Sequence, residues 1–404
     1  MRIVATIFLA ISISFISSGW AQPARDIAQA NNKFAFDMYS RLDLNKRNIF
    51  FSPYSLSSAL TMTYEGAHGP TADEMRMALY LPSDEVDWRG DVSSFIQNMN
   101  AAHPAYELSV ANALWTQKAF LFKEDYLKLV KDTYFGEARN LDFIADPEAS
   151  RTTINNWVLE KTKNRIKDLL PPGSIDHKVR LVLTNAVYFK GKWAVSFKKE
   201  LTKKDAFWIS PTEAVQIDMM GLVGKSFKYT ENDQVQVVEL PYQGNDLSML
   251  IVLGRDKDVQ LVEKAISEPV LREWEGAMFK LPVNVFIPKF KFDADYQMKD
   301  ILKEMGMKIA FDESLADFSN MAQLSPGEHL YIDQVYHKAW IDVNEEGTEA
   351  AAATAVVVMA KSLSMQVTFP PKVFFADHPF IFMIRENKTG HILFMGRVSD
   401  PREK

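Results

Sequence analysis

Cysteine is absent from all 404 residues of this chain. No disulfide can staple it, and thiol catalysis, cysteine-ligated zinc and iron–sulfur clusters are excluded at once. A chain of this length can rely instead on a buried core, and a composition of 47% hydrophobic and 24% charged residues supplies one. An excess of positive charge is also missing. The formal net charge is −6 and the isoelectric point is near 5.8, so nucleic-acid binding has no support. Beyond the N-terminus, no run reaches the ~18 apolar residues that a membrane span needs. No Gly/Ser/Pro-rich linker, repeat or low-complexity tract divides the chain, so a single large domain over residues 22–404 is expected. Pro171-Pro172-Gly173-Ser174 comes nearest to a boundary and reads as a turn after a helix.

Catalytic signatures are missing too. The histidines at 68, 103, 177, 329, 337, 378 and 391 form no H-E-x-x-H pair, and no G-x-S-x-G elbow occurs. Gly221-Leu222-Val223-Gly224-Lys225-Ser226 imitates a phosphate loop, but the first glycine of that frame would fall at Met219. It reads as a strand-edge turn. The chain is therefore not expected to be an enzyme, nor to need a metal or cofactor.

The N-terminus carries an address. Met1-Arg2 gives a short positive start, residues 3–16 are mostly apolar, and Gly19-Trp20-Ala21 offers small residues where a signal peptidase reads. Residues 1–21 are expected to be a signal peptide cleaved before Gln22; the alternative is an uncleaved anchor. The mature protein would be secreted, or periplasmic in a bacterium, with no membrane attachment. Asn387-Lys388-Thr389 is a glycosylation sequon that matters only in a host with that machinery.

Periodicity indicates a mixed α and β protein. Residues 27–42 carry apolar positions at helical spacing. Pro53-Tyr54-Ser55 opens a helix with Ser52 as its cap, and Asp146-Pro147-Glu148 opens another. Residues 179–189, 235–240, 247–253, 283–292 and 335–343 are rich in apolar and β-branched residues and read as strands. Regular βαβ spacing is lacking, so mixed sheets are expected rather than a doubly wound fold.

The most informative stretch runs from Glu345 through Glu346, Gly347, Thr348 and Glu349 to Ala350-Ala351-Ala352-Ala353-Thr354-Ala355, and ends in Val356-Val357-Val358. Read as a strand, Thr348, Ala350, Ala352, Thr354 and Val356 share one face, which is small and uncharged. Such a segment could slide between two neighbouring strands without burying a charge. Read as a helix, it is an alanine-rich segment capped by Thr348.

This hinge resembles the reactive-loop hinge of the inhibitory serpins. Other blocks resemble the same family in the same order. They are Asn48-Ile49-Phe50-Phe51-Ser52-Pro53-Tyr54-Ser55, Gly66-Ala67 with Thr71-Ala72-Asp73-Glu74-Met75, and Thr184-Asn185-Ala186-Val187-Tyr188-Phe189-Lys190-Gly191-Lys192-Trp193. Asp377-His378-Pro379-Phe380 and Phe394-Met395-Gly396-Arg397-Val398 complete the set, so the resemblance covers residue 30 to the C-terminus. It implies about nine helices around three β-sheets, with an exposed reactive loop at about residues 345–369.

The resemblance also implies roles. Glu345, Glu346, Gly347, Thr348, Ala350, Ala351, Ala352, Ala353 and Thr354 match the hinge. Ser52, Ser55, Asn185 and His337 match the shutter, the polar cluster beneath the sheet where strands part. Trp193, Lys289 and Glu345 match the breach, where insertion begins. The family's spacing from Gly347 places the scissile bond between Lys361 and Ser362. Lysine there suits a trypsin-like protease, whose primary pocket holds a carboxylate. Leu363 or Met365 would direct the loop to chymotrypsin-like enzymes, and Met359 or Ala360 to elastase-like ones.

The function so implied is exported, suicide-type inhibition of a serine protease through a covalent complex, by a monomer. Two alternatives stay open: inhibition of papain-like proteases, and a non-inhibitory carrier, chaperone or storage role. Residues 86–102 carry no basic stripe, so no heparin-like cofactor is expected.

Overall fold

The computed structural model describes residues 22–42, 48–83, 88–325, 327–348 and 370–403. Among them are nine α-helices: α1 (Gln22–Tyr39), α2 (Pro53–Tyr64), α3 (Gly69–Ala78), α4 (Arg89–Asn100), α5 (Glu124–Tyr134), α6 (Pro147–Lys161), α7 (Val259–Ala265), α8 (Glu268–Gly276) and α9 (Lys299–Glu304). Two of their starts follow directly from local chemistry. Ser52 is extended, and its Oγ accepts from Ser55 N (3.1 Å), while Pro53 fills the first helical position. Asp146 caps α6 in the same way, accepting from Ala149 N at 3.0 Å.

The strands form two hydrogen-bonded networks. The first contains β1 (Ile49–Phe51), β5 (Lys203–Ser210), β6 (Glu213–Glu231), β7 (Val235–Pro241), β8 (Leu247–Gly254), β9 (Phe279–Pro288), β13 (Lys372–Phe375), β14 (Phe380–Glu386) and β15 (Ile392–Val398). Its order is β1-β15-β14-β8-β7-β6-β9-β13, with β5 also on β6. The second contains β2 (Tyr106–Gln117), β3 (Glu137–Leu141), β4 (Leu181–Lys192), β10 (Phe290–Gln297), β11 (Ile332–Asn344) and β12 (Gly347–Thr348). Its order is β10-β11-β12-β4-β2-β3.

The helices and mixed sheets are those the resemblance implies, with two of the three sheets joined. The join is β6, whose 19 residues pair with β5 at the start, with β7 at the end, and with β9 from Met219 to Tyr229 between them. A register shift between Leu222 and Lys225, with Gly224 at φ +71°, bends it between the two halves. The phosphate-loop look-alike is thus a bulge inside a long strand rather than a turn at a strand edge. The expected strand 283–292 is also two strands: Pro288 closes β9, Lys289 N donates to Asp218 O, and β10 joins the other sheet.

Position in the core follows from strand composition. Residues 181–189 are buried on both faces, which explains their near-continuous apolar run. One face of the six-stranded sheet packs on α2 and the large core. On the other face, α6 sets Ile154, Trp157 and Val158 against Trp115, Val182, Ala186 and Tyr336. Strand β4 is therefore held from both sides.

Candidate functional site at the seam of the six-stranded sheet

Strands β4 and β11 pair in parallel from Leu181↔Ile332 to Tyr188↔Trp340. Beyond that pair they part, and the gap is filled by two hinge residues. After Glu345 and Glu346 the chain doubles back. Gly347 then pairs with Lys192 and Asn344, and Thr348 with Gly191 and Val343. The residues flagged by composition thus already begin a strand between two others.

Gly347 is the only residue type that fits its position without rearrangement. Its φ is +156°, and a Cβ there would lie 2.0 Å from Gly191 O and 2.7 Å from Lys192 Cα. Thr348 is 1% exposed, and its hydroxyl shares a 2.7 Å hydrogen bond with Tyr242 OH. Burial pushes the Tyr242 phenol well above its ordinary range, so it stays neutral beside the hinge. Its ring stacks on Trp193 (4.7 Å between centroids) and meets the edge of Phe189 at 5.1 Å.

The turn is held by several further contacts. Trp193 Nε1 donates to Asn344 O (3.0 Å) and Trp193 N to Glu346 O (3.0 Å). Glu345 is buried, with one oxygen 3.0 Å from Lys289 Nζ and the other accepting from Thr202 Oγ1 at 2.9 Å. Burial alone would raise the Glu345 carboxyl, but the hydrogen bonds and charge of Lys289, with Thr202, bring it below the usual carboxylate range. Because Lys289 is 39% exposed, the pair contributes about 1 kcal/mol or less. Glu346 meets the more exposed Lys199 at 3.1 Å, while its other oxygen is buried with no partner among the described residues.

Further down the seam lies a polar cluster. The register sets Asn112 of β2 opposite Asn185 of β4, and Asn185 opposite His337 of β11. These side chains face the N-terminus of α2. Ser52 N donates to His337 Nε2 (3.1 Å), which places the ring proton on Nδ1, 2.5 Å from Asn185 Oδ1. Asn185 Nδ2 then donates to Ser55 Oγ and Asn112 Oδ1, both at 2.5 Å, while Ser52 Oγ donates to Leu393 O. All four expected members of the cluster meet there, and Asn112 is a fifth. The His337–Asn185 bond crosses the seam, so any strand entering between β4 and β11 must break it.

Burial pushes the His337 imidazole down to about 3, against the opposing effect of its Asn185 hydrogen bond. His391, stacked 4.1 Å from Phe95 and edge-on to Tyr54, is likewise lowered to about 3 by burial. Both titrate near 6.5 in an unfolded chain. A depressed folded value means that the stabilisation is complete above pH 6.5 and is lost as pH falls toward 3. Urea unfolding at pH 5 is therefore expected to show about 4 kcal/mol less stability than at pH 7.5, roughly 2 per histidine. His391→Gln should remove about half of that difference, and a flat profile would contradict both assignments.

The structure brings together Trp193, Lys289 and Glu345, as it does Ser52, Ser55, Asn185 and His337. Ala350, Ala351, Ala352, Ala353 and Thr354 lie outside the described residues, as do Lys361, Ser362 and residues 1–21. Sequence reading missed Asn112, Lys199, Thr202 and Tyr242. Asn112 alone left a signal, as a polar residue between two alanines in a buried strand.

Comparison with known proteins gives a consistent result. The family model described as serpin (serine protease inhibitor) matches residues 29–401. An uncharacterized serpin-like protein of Methanosarcina mazei is 42% identical over 94% of this chain and 88% of its own length. Human serpin B8 is 41% identical over 93% of this chain and 100% of its own. The crystal structure of Serpin48, described as a highly specific serpin of the insect Tenebrio molitor, superposes with a TM-score of 0.83. It is 33% identical and covers 93% of this chain and 98% of its own.

Proposed function

The chain belongs to the serpin family, whose members are protease inhibitors rather than enzymes, and on that footing we propose that it traps a serine protease by inserting its cleaved loop between β4 and β11. Loop insertion is a known behaviour of the family. The observation that carries the reading for this chain is the seating of Gly347 and Thr348 as a strand between β4 and β11. That strand needs only to be continued.

The protease cleaves the loop as a substrate, between Lys361 and Ser362, and is held as an acyl-enzyme. Residues beyond Thr348 then lengthen β12 down the seam. Each adds ladder hydrogen bonds worth roughly 0.5–1.5 kcal/mol net, so a dozen residues supply on the order of ten kcal/mol to distort the enzyme. The uncleaved form must therefore be kept by a barrier. Lys361 favours a trypsin-like partner. Residues 1–21 would direct the protein out of the cell, and it would act there as a monomer.

The test is to mix the mature protein with trypsin, run a denaturing gel and weigh the released peptide. A detergent-stable complex and a peptide beginning at Ser362 are expected. Clean cleavage without complex by trypsin-, chymotrypsin- and elastase-like enzymes alike would contradict the proposal.

A further inference from the structure

We propose that Tyr188 and Trp340, with Arg165 and Lys291 over the indole, form a clasp across the seam whose opening paces strand insertion; this rests on the function proposed above. Tyr188 of β4 and Trp340 of β11 are the last residues to pair directly before the strands part around β12. Their ring centroids lie 6.1 Å apart at an interplanar angle of 37°. They sit three residues along from Asn185 and His337, so the alternation of strand side chains puts them on the opposite face of the sheet. The seam is thus fastened on both faces, by polar groups toward α2 and by aromatic rings on the α6 side.

Two cations extend the clasp. The Arg165 guanidinium lies 5.4 Å from the Trp340 ring centroid and the Lys291 ammonium 5.3 Å. Lys291 is itself held by Asp342 at 3.3 Å, two residues along β11. Arg165 comes from the segment that follows α6, which also supplies Ile166 to the packing of α6 on the sheet. The indole therefore links the seam to the segment that follows α6. A strand lengthening from Thr348 in its present register comes level with Tyr188 and Trp340 after three more residues. These are the first paired rings it must separate, before it reaches Asn185 and His337. Tyr188 and Trp340 are positioning residues, acting by holding β4 against β11.

The experiment adds a synthetic peptide of residues 347–358 to the uncleaved protein and follows its incorporation, so that no protease is involved. Trp340→Leu and Tyr188→Leu keep the seam apolar but remove the ring contact, and each is expected to take up peptide about tenfold faster than wild type. Because one contact is shared, the double variant should be no faster than Trp340→Leu alone. Trp340→Phe should restore the slow rate, and Arg165→Gln should accelerate uptake by a smaller factor. A general loss of packing would instead give additive rates and no rescue, which would overturn the clasp. Wild type and variants taking up peptide equally fast would overturn the clasp and leave the insertion reading intact. No uptake by any of them would overturn both.

Discussion

Thr348→Arg is expected to turn the protein from an inhibitor into a substrate, lowering the yield of detergent-stable complex more than tenfold while the uncleaved fold persists. The reason is the site Thr348 occupies. It is 1% exposed, flanked by Gly191 and Val343, and bonded to the neutral Tyr242 hydroxyl. Among the described residues no carboxylate pairs with that position, so an arginine entering it would lose its hydration without compensation, at a cost of several kcal/mol. Each ~1.4 kcal/mol on the barrier slows insertion about tenfold. The trapped acyl-enzyme then hydrolyses first. The native fold tolerates the change because only the two-residue β12 is displaced. Losing the Tyr242 partner should cost about 1–3 kcal/mol of native stability. Thr348→Val is the control: it keeps shape and lacks charge, and should still form complex. Unchanged complex yield from Thr348→Arg would sink the insertion mechanism.

Lys361→Ala is expected to slow association with trypsin on the order of 10³-fold or more, without changing stability. A primary pocket built around a carboxylate leaves that charge unpaired when the lysine is gone, which costs several kcal/mol. Lys361→Arg should retain inhibition, and rates with an elastase-like enzyme should fall little or rise. If Lys361→Ala still inhibits trypsin, the scissile bond lies elsewhere, and the peptide released by chymotrypsin would show whether Leu363 or Met365 serves instead.

Much of this site was legible in the sequence because its signals are local. The Ser52 cap, the near-continuous apolar run around Asn185 and the small, uncharged hinge each arise within a few residues of chain. What escaped depends on register between distant strands. Asn112 meets Asn185 across 73 residues, Tyr242 meets Thr348 across 106, and Thr202 meets Glu345 across 143. Nothing near Tyr242 distinguishes it from any buried tyrosine at the end of a strand. The break at Lys289 did leave a sign in Pro288, which cannot donate to a ladder. The apolar residues on either side outweighed it. The union of two sheets through β6 was not readable either, because a bulge at Gly224 and a turn there carry the same glycine signal.

The pairing of β4 with β11 offers the most direct measurement. In the uncleaved protein Asn185 and His337 are register partners on neighbouring strands, about one strand spacing, ~4.8 Å, apart. A crystal structure of the loop-cleaved protein should show them about two spacings apart, ~9.6 Å, with a new strand between them that continues from Thr348. Finding Asn185 still opposite His337, their hydrogen bond intact, after complete cleavage at Lys361 would contradict the account.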